Sequence, residues 1–548
     1  MRQLIAASAA APATLSTPVE YPVDTFTPAE SERLRQHVTN LDQPVFALVN
    51  LPETVKGALF ARYSRYPGTL RRLFLDEFAD SLPGVSASYD NQEGARAADF
   101  YERIFVGYGD DSIAQLGGAH VACEWVSNVL TKVLQRPRLG AYPEQSTRYI
   151  AYDRPMPGGG FRYYRDETLG PEYESAMDRL FTIYSESLPR VRSWVESTFP
   201  PPPAGGEAAH RRAVNAKALD LLRGLLPASS LSHMGIFASG QAYEQMVLHL
   251  LAHPLPEAHA YGEMILTELE AVMPSFLSRV RRPERGGRWV DQLAQRSRVA
   301  AEAAARLGLR GEPDPAPASV RLVAVDGDER RLAAALLVEE STASESEVLA
   351  AVERLTEAEL TALIAKLVGT RENRRHRPGR GLEAIKYRFE VVSDYGAFRD
   401  LQRHRLLTVQ WQELTPRLGA DTPEEVGLAG CGGAYREALE VSAAAWAALR
   451  SRGAGPAAQY PLCLAFRLRY VIDMNAREAM HLVELRSGAQ GHPSYRAVAQ
   501  EMHRLIAEVH PSVAAAMQHV DLTTEPRLER LLAEMRTQAR RDALEARG

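Results

Sequence analysis

The sequence predicts a helix-rich α/β (α+β) protein with few strands, organised as a long-period duplication. Three observations predict it. The segment RPRLGAYPEQSTRY (Arg136 to Tyr149) and the segment RHRLLTVQWQELTPRL (Arg403 to Leu418) share one pattern. Each opens on Arg-x-Arg, crosses a short loop, and gives Glu, one residue, a hydroxyl residue, one residue and Arg. The apolar stretches before both copies read as amphipathic helices of similar length, FYERIFVGYGDDSIAQLGGAHVACEWVSNVLTKVL in the first and GLEAIKYRFEVVSDYGAFRDLQ in the second. Between the copies lies GEPDPAPAS, a Pro- and Gly-rich linker.

The remaining elements follow in order. MRQLIAASAAAPATLSTP lacks a strong apolar core, so residues 1–20 are expected to form a disordered tail and not a signal peptide. The first repeat is placed at 21–285, with Pro200 to Pro203 as an internal loop. A linker follows at 286–318, helical from about Trp289 to Leu309. The second repeat is placed at 319–548. It opens on a short strand, where Val320, Leu322 and Ala324 alternate with other residues, and continues into an Ala-rich helix.

Composition narrows the function. A net charge of −5 argues against a general nucleic-acid binder, which needs a basic footprint. The three cysteines, Cys123, Cys431 and Cys463, form neither a CxxC pair nor a metal spacing, so neither a disulfide framework nor a zinc site is expected. No run reaches the roughly 18 apolar residues of a membrane span. A reducing cytoplasm fits these readings. The Gly clusters at Gly158 and Gly430 do not join a strand to a helix and are rejected as dinucleotide fingerprints.

Arg403, His404, Arg405, Glu413, Thr415 and Arg417 set several cations beside one carboxylate and one hydroxyl. Such a set suits a phosphorylated ligand with further polar groups. In MNAREAMHLVELRSGAQ, helical spacing places Asn475 and Arg486 on one face and Arg477 and His481 on another. The run RENRRHRPGR, Arg371 to Arg380, reads as a solvated loop or a phosphate-steering one, and His376 within it is a candidate for a flavin or folate contact.

Together these residues resemble flavin-dependent thymidylate synthase, the ThyX family. SIAQLGGAHVACEWVSNVLTKVLQRPRLGAYPEQSTRY looks like the family's helix leading into its RHR signature. RHR…ELTPR and NAREAMHLVELRSGAQ are similar to the signature and to the family's second helix. The resemblance implies two ThyX-like repeats in tandem, each a small sheet flanked by helices. It implies FAD as cofactor, NADPH and methylenetetrahydrofolate as co-substrates, and methylation of dUMP to dTMP without a cysteine nucleophile. It also implies a homodimer imitating the family's tetramer. Arg403, His404, Arg405, Asn475, Arg477 and His481 are the implied flavin contacts, and Arg486 is the catalytic group that stabilises charge on the uracil. No metal is implied. The alternative is a flavin- or nucleotide-binding protein of this fold without synthase activity, or one acting on another pyrimidine nucleotide.

Departures from the family divide the repeats. The first carries Pro137 for the signature His, and Ser239, Gln241 and Leu250 for the helix Asn, Arg and uracil-facing Arg, but keeps Arg223 as the further phosphate arginine. The second keeps the helix residues, carries Gln459 in place of that arginine, and has a signature loop two residues longer before Glu413. Asp400 replaces a Gln that contacts the nucleotide. The expectation is one hybrid site per chain, in which Arg403, Asn475, Arg477 and Arg486 meet Glu144, Ser146, Arg148 and Arg223.

Overall fold

A computed structural model describes residues 21–81, 112–156, 158–202, 206–524 and 527–545. The expected tail at 1–20 lies outside them, as do residues 100–111 of the first lead-in.

Each repeat holds a four-stranded sheet. In the first, β1 (Val45–Ala47), β2 (Gly118–Ser127), β3 (Gly140–Ala141) and β4 (Leu231–Ser239) lie in the order β1-β2-β4-β3. In the second, β5 (Ser319–Asp326), β6 (Lys386–Asp394), β7 (Leu407–Trp411) and β8 (Arg467–Asn475) lie in the order β5-β6-β8-β7. All pairs are antiparallel. The duplication read from the sequence is therefore a duplication of topology.

Over their described residues the lead-ins are not the amphipathic helices expected. Each is a strand followed by a short helix: β2 runs into α1 (Asn128–Leu134), and β6 into a helix at Tyr395–Leu401. β2 is buried from Ala119 through Ser127, so no alternation of polar and apolar residues marks it as a strand. Capping fixes where strand gives way to helix. Ser127 accepts from the Leu130 N–H at 3.0 Å and Asp394 from the Ala397 N–H at 2.9 Å. These short polar side chains satisfy N–H groups that the first helical turn leaves open.

The helices that position the site come next along the chain. Helix α2 (Glu207–Leu222) carries Asp220 and ends at Arg223, and α3 (Gly240–Leu251) follows β4. Helix α4 (Arg288–Arg306) occupies the linker, where a helix was expected. Helix α5 (Tyr395–Leu401) follows β6, and α6 (Ala476–Ser487) follows β8. Helix α7 (Pro493–Val509) carries Tyr495, and α8 (Leu531–Glu545) closes the described chain. The expected short strand is β5, and the Ala-rich stretch after it is helical over Glu329–Leu337.

The repeats meet along a backbone seam. Ala228 and Ser229 N–H donate to the Leu462 and Tyr460 carbonyls at 2.7 and 2.8 Å, and Leu464 and Ala465 N–H return bonds to Leu226 and Gly224 at 2.9 and 3.0 Å. Side chains of both repeats join one core, including Tyr173, Leu219 and Tyr243 from the first and Tyr387, Tyr435 and Ile472 from the second. Helix α8 folds back along α2, with an Arg212–Glu534 pair of 2.7 Å, and just before it Glu529 pairs with Lys217 at 2.7 Å. Among the described residues, no helix is long and apolar enough to cross a membrane.

Candidate active site

Glu144 lies on the loop after β3, on the side facing the second repeat. Its carboxylate accepts from Lys132 at 3.0 Å and Gln135 at 2.9 Å in its own repeat, and from Arg399 at 2.7 Å and Arg403 at 2.8 Å across the seam. Burial alone would raise its pKa, but Lys132, Arg399 and Arg403 outweigh that and hold it well below the usual carboxylate range. Lys132 stands four residues before Arg136 as Arg399 stands four before Arg403, so both copies of one position serve one carboxylate.

A second carboxylate, Asp400, faces four arginines from both repeats. Arg223 Nη1 is 3.2 Å from it, Arg403 3.4 Å and Arg486 3.9 Å. Arg148 also acts on its charge, and these four guanidiniums overcome the effect of burial and hold Asp400 ionised. Arg148 itself is fixed by a two-pronged pair with Asp220 at 2.6 Å on both oxygens, by the Tyr495 hydroxyl at 3.0 Å and by the Gln490 carbonyl at 3.2 Å. The Ser146 hydroxyl accepts from the Arg148 N–H at 3.3 Å and shapes the turn.

Beside these groups opens a cavity of about 720 Å³, lined by Arg403, His404, Arg405, Asn475, Arg477, Glu478, His481 and Arg486 among others. The two helix faces read from the sequence thus address one space. Asn475 is the N-cap of α6, its Oδ1 accepting from the Glu478 N–H at 2.9 Å, and it lines the wall from the start of the helix. Arg477 is anchored to the Pro378 carbonyl and Glu383 at 3.2 Å each. Arg405 lies over the Tyr142 ring at 4.6 Å.

His404 carries a defined hydrogen-bond polarity. Arg486 Nε can only donate, so His404 Nε2, 3.1 Å away, accepts. Burial holds the imidazole well below its ordinary pKa, hence neutral, and its proton sits on Nδ1, donated to Glu478 at 2.7 Å. Burial in turn pushes the Glu478 carboxyl up to about 7. His404, Glu478 and His481 bring possible metal-ligand atoms within 4.8 Å of one another, but both ring nitrogens of His404 are already engaged.

The Arg-rich run divides by role. Arg371 is buried and pairs with Glu484 at 2.6 and 2.7 Å, pinning the loop. Arg371 also reaches the cavity wall, which Arg374, Arg377 and Arg380 line beside it. His376 does not; its ring contacts Asn373 at 3.0 Å.

The family model described as "Thymidylate synthase complementing protein" matches residues 74–275 and 321–512, one span in each repeat. The chain belongs to this family. It is 38% identical over 526 residues to a UPF0159 protein of Chlamydia muridarum, covering 94% of this chain and 99% of that protein. A UPF0159 protein of Thermoplasma acidophilum is 32% identical over 520 residues, covering 88% and 98%. The solved UMP/dUMP methylase PolB from Streptomyces cacaoi, bound with 5-Br dUMP, aligns at TM-score 0.30 and 17% identity over 38% of this chain and 98% of that one.

The opposite combination of family positions makes a different cleft. Arg136, Glu413 and Gln459 line a space of about 370 Å³ beside Trp411. Leu250 is buried in the core, and Gln241 bonds to Gln115 at 2.7 Å. Arg417 turns to Glu312 of the linker at 2.9 Å, while Thr415 caps a short helix. Linker helix α4 lies over this side: Leu293, Arg296 and Ser297 share a cavity of about 270 Å³ with Arg136, Gln245 and His249. Sequence reasoning missed Lys132, Arg399, Asp220 and Tyr495 as parts of the site.

Proposed function

We propose that the protein is an FAD-dependent thymidylate synthase-like enzyme that methylates dUMP to dTMP, with methylenetetrahydrofolate as carbon donor and NADPH as reductant. One observation carries the reading: Arg403 and Arg486 of one repeat converge with Glu144, Arg148 and Arg223 of the other, next to a large cation-lined cavity.

The residues present fit FAD. The cavity of about 720 Å³ falls within the roughly 300–1,000 Å³ of small-molecule and cofactor sites. Arg374, Arg377, Arg380, Arg405 and Arg477 on its walls suit a pyrophosphate, and Arg403 Nε is buried without a hydrogen-bond partner. Arg403, His404, Arg405, Asn475, Arg477 and His481 would hold the cofactor. Bound there, FAD supplies the redox chemistry that reduces the transferred one-carbon unit to a methyl group.

This chain's own residues do the rest. Arg403, Arg148 and Arg223, with Ser146, would bind the dUMP phosphate, and Glu144 fixes Arg403. Arg486 would face the uracil and stabilise its developing negative charge, an electrostatic role that needs no reorganisation during the reaction. His404 Nε2 fixes the Arg486 Nε–H, and the Tyr495 ring lies 5.6 Å from its guanidinium.

Tritium release from C5-labelled dUMP, with NADPH and the folate present, tests the reading. Release that requires FAD supports it. A yellow protein that binds dUMP and releases no tritium would be a binder without synthase activity. Titration with a dUMP analogue should show one tight site per chain. Arg223→Ala and Arg486→Ala, in opposite repeats, should each abolish it; two equivalent sites per chain would exclude the hybrid arrangement.

A further inference from the structure

Asp400 is held more loosely by its arginines than Asp220 or Glu484 is by its own. Asp220 takes Arg148 on both oxygens at 2.6 Å, and Glu484 takes Arg371 at 2.6 and 2.7 Å. Asp400 takes no arginine that way. Its contacts to Arg223, Arg403 and Arg486 are 3.2, 3.4 and 3.9 Å, so three forks point at it and none closes on it. Donors are left over. Arg223 Nη2 and Arg403 Nε are buried without a hydrogen-bond partner, and Arg223 is only 4% exposed. Buried donors of a charged group are costly to leave unmet. The cluster is therefore furnished for an anion with more acceptor atoms than a carboxylate.

Charge counting gives that anion a class. Arg148, Arg223, Arg399, Arg403 and Arg486 face Glu144, Asp220 and Asp400, five cations less three anions, or +2. Lys132 contacts Glu144 and Asp394 contacts Arg223; burial pushes the first down to about 7 and the second up to about 6, so the two opposite charges shift the balance by less than one.

We propose that Asp400 is the specificity-determining residue of the nucleotide subsite. It trims the guanidinium cluster to the charge that a phosphomonoester dianion balances. The incoming phosphate takes over the donors that Asp400 satisfies loosely in the free protein. The carboxylate thereby sets how strongly phosphate counts in binding: the ligand must gain against a resident anion, so the nucleoside part contributes a larger share of recognition. The nucleotide identity rests on the function proposed above; the charge role of Asp400 does not.

The test is equilibrium titration of the full-length, FAD-loaded protein with inorganic phosphate, dUMP and deoxyuridine, using wild type, Asp400→Asn and Asp400→Glu. Asp400→Asn should bind phosphate and dUMP at least about tenfold tighter, and deoxyuridine within about twofold of wild type. Asp400→Glu keeps the charge and should follow wild type. Circular dichroism screens the fold, and Asp400→Gln serves in place of Asn where that variant does not fold. Phosphate binding that is unchanged or weaker in the amide variant overturns the proposal, as does a parallel gain for deoxyuridine. A gain for phosphate with no dUMP binding in any variant leaves Asp400 in this role and removes the nucleotide assignment instead.

Discussion

Glu144→Gln removes the carboxylate that lies between three cations, of which Arg403 alone keeps a second, looser partner in Asp400 at 3.4 Å. Lys132, Arg399 and Arg403, at 3.0, 2.7 and 2.8 Å, are left facing a neutral amide at a position whose side chain is fully shielded from solvent. Removing one partner of a buried ion pair costs about 3–5 kcal/mol, because the remaining charge keeps its desolvation penalty. Lys132 can relieve part of this by losing its proton, since burial pushes its ammonium down to about 7. The loss therefore belongs near the lower end, about 3 kcal/mol. It falls on the contact between repeats, because Arg399 and Arg403 belong to one and Glu144 to the other. The pH dependence has a definite sign. A carboxyl held well below its ordinary value of 4.5 contributes stability that is fully present above that value and lost as pH falls through the folded one. Urea unfolding of wild type and variant should differ most at neutral pH, and the gap should narrow in acid. Arg399→Met in the Glu144→Gln background removes one of the stranded cations and should recover about 1 kcal/mol or more. A loss below about 1 kcal/mol at neutral pH, or a full additional loss from Arg399→Met, would refute the reasoning.

Three further outcomes are expected. Arg477→Ala should release much of the bound flavin, read by absorbance after gel filtration, while Gln241→Ala in the first repeat should not; equal release from both would separate the flavin from α6. The triple Cys123→Ala, Cys431→Ala, Cys463→Ala variant should keep turnover, since all three cysteines are buried and burial pushes the Cys463 thiol up to about 12; a folded, yellow and inactive triple variant would contradict cysteine-free catalysis. Glu257 accepts from the Ser127 N–H and hydroxyl and from Tyr460, and burial raises it from 4.5 to about 7, so wild-type stability should fall as pH rises across that window. Glu257→Gln should flatten that slope by up to about 3 kcal/mol across the window, and thermal melts with parallel slopes would dismiss the assignment.

Much of the candidate site was legible because its pattern is written twice. The repeated Arg-x-Arg and Glu-x-hydroxyl-x-Arg pattern located Glu144, Arg148 and Arg403, and the departures separated the two clefts. The same comparison held a signal that was not used: Lys132 and Arg399 precede their Arg-x-Arg motifs by equal spacing. Asp220 and Tyr495 carry no such mark. Each matters because α2 and α7 bring it to Arg148, a fact of tertiary packing. Strand β6 carries a two-residue period from Lys386 through Val391, with Tyr387, Phe389 and Val391 buried, that went unread, and β2 escaped notice for a different reason. A strand covered on both faces shows no two-residue period, and small apolar residues such as those of GAHVAC fit a helix equally well. The four arginines around Asp400 were all named in the expected hybrid site, and Asp400 was marked as a departure, but the loose distances at which they hold it could not be read from spacing.

Residues 307–318 join α4 to β5, and through them one peptide chain supplies both sides of the guanidinium cluster. A cleft formed by separate molecules comes apart as its components are diluted, and its occupancy then follows their concentration. Here the partner surface travels with the chain, at an effective concentration on the order of millimolar for a short flexible tether. Specific activity per chain should therefore stay level on dilution wherever this cleft alone limits the rate. Cutting the tether would make the same cleft concentration-dependent without altering one of its side chains.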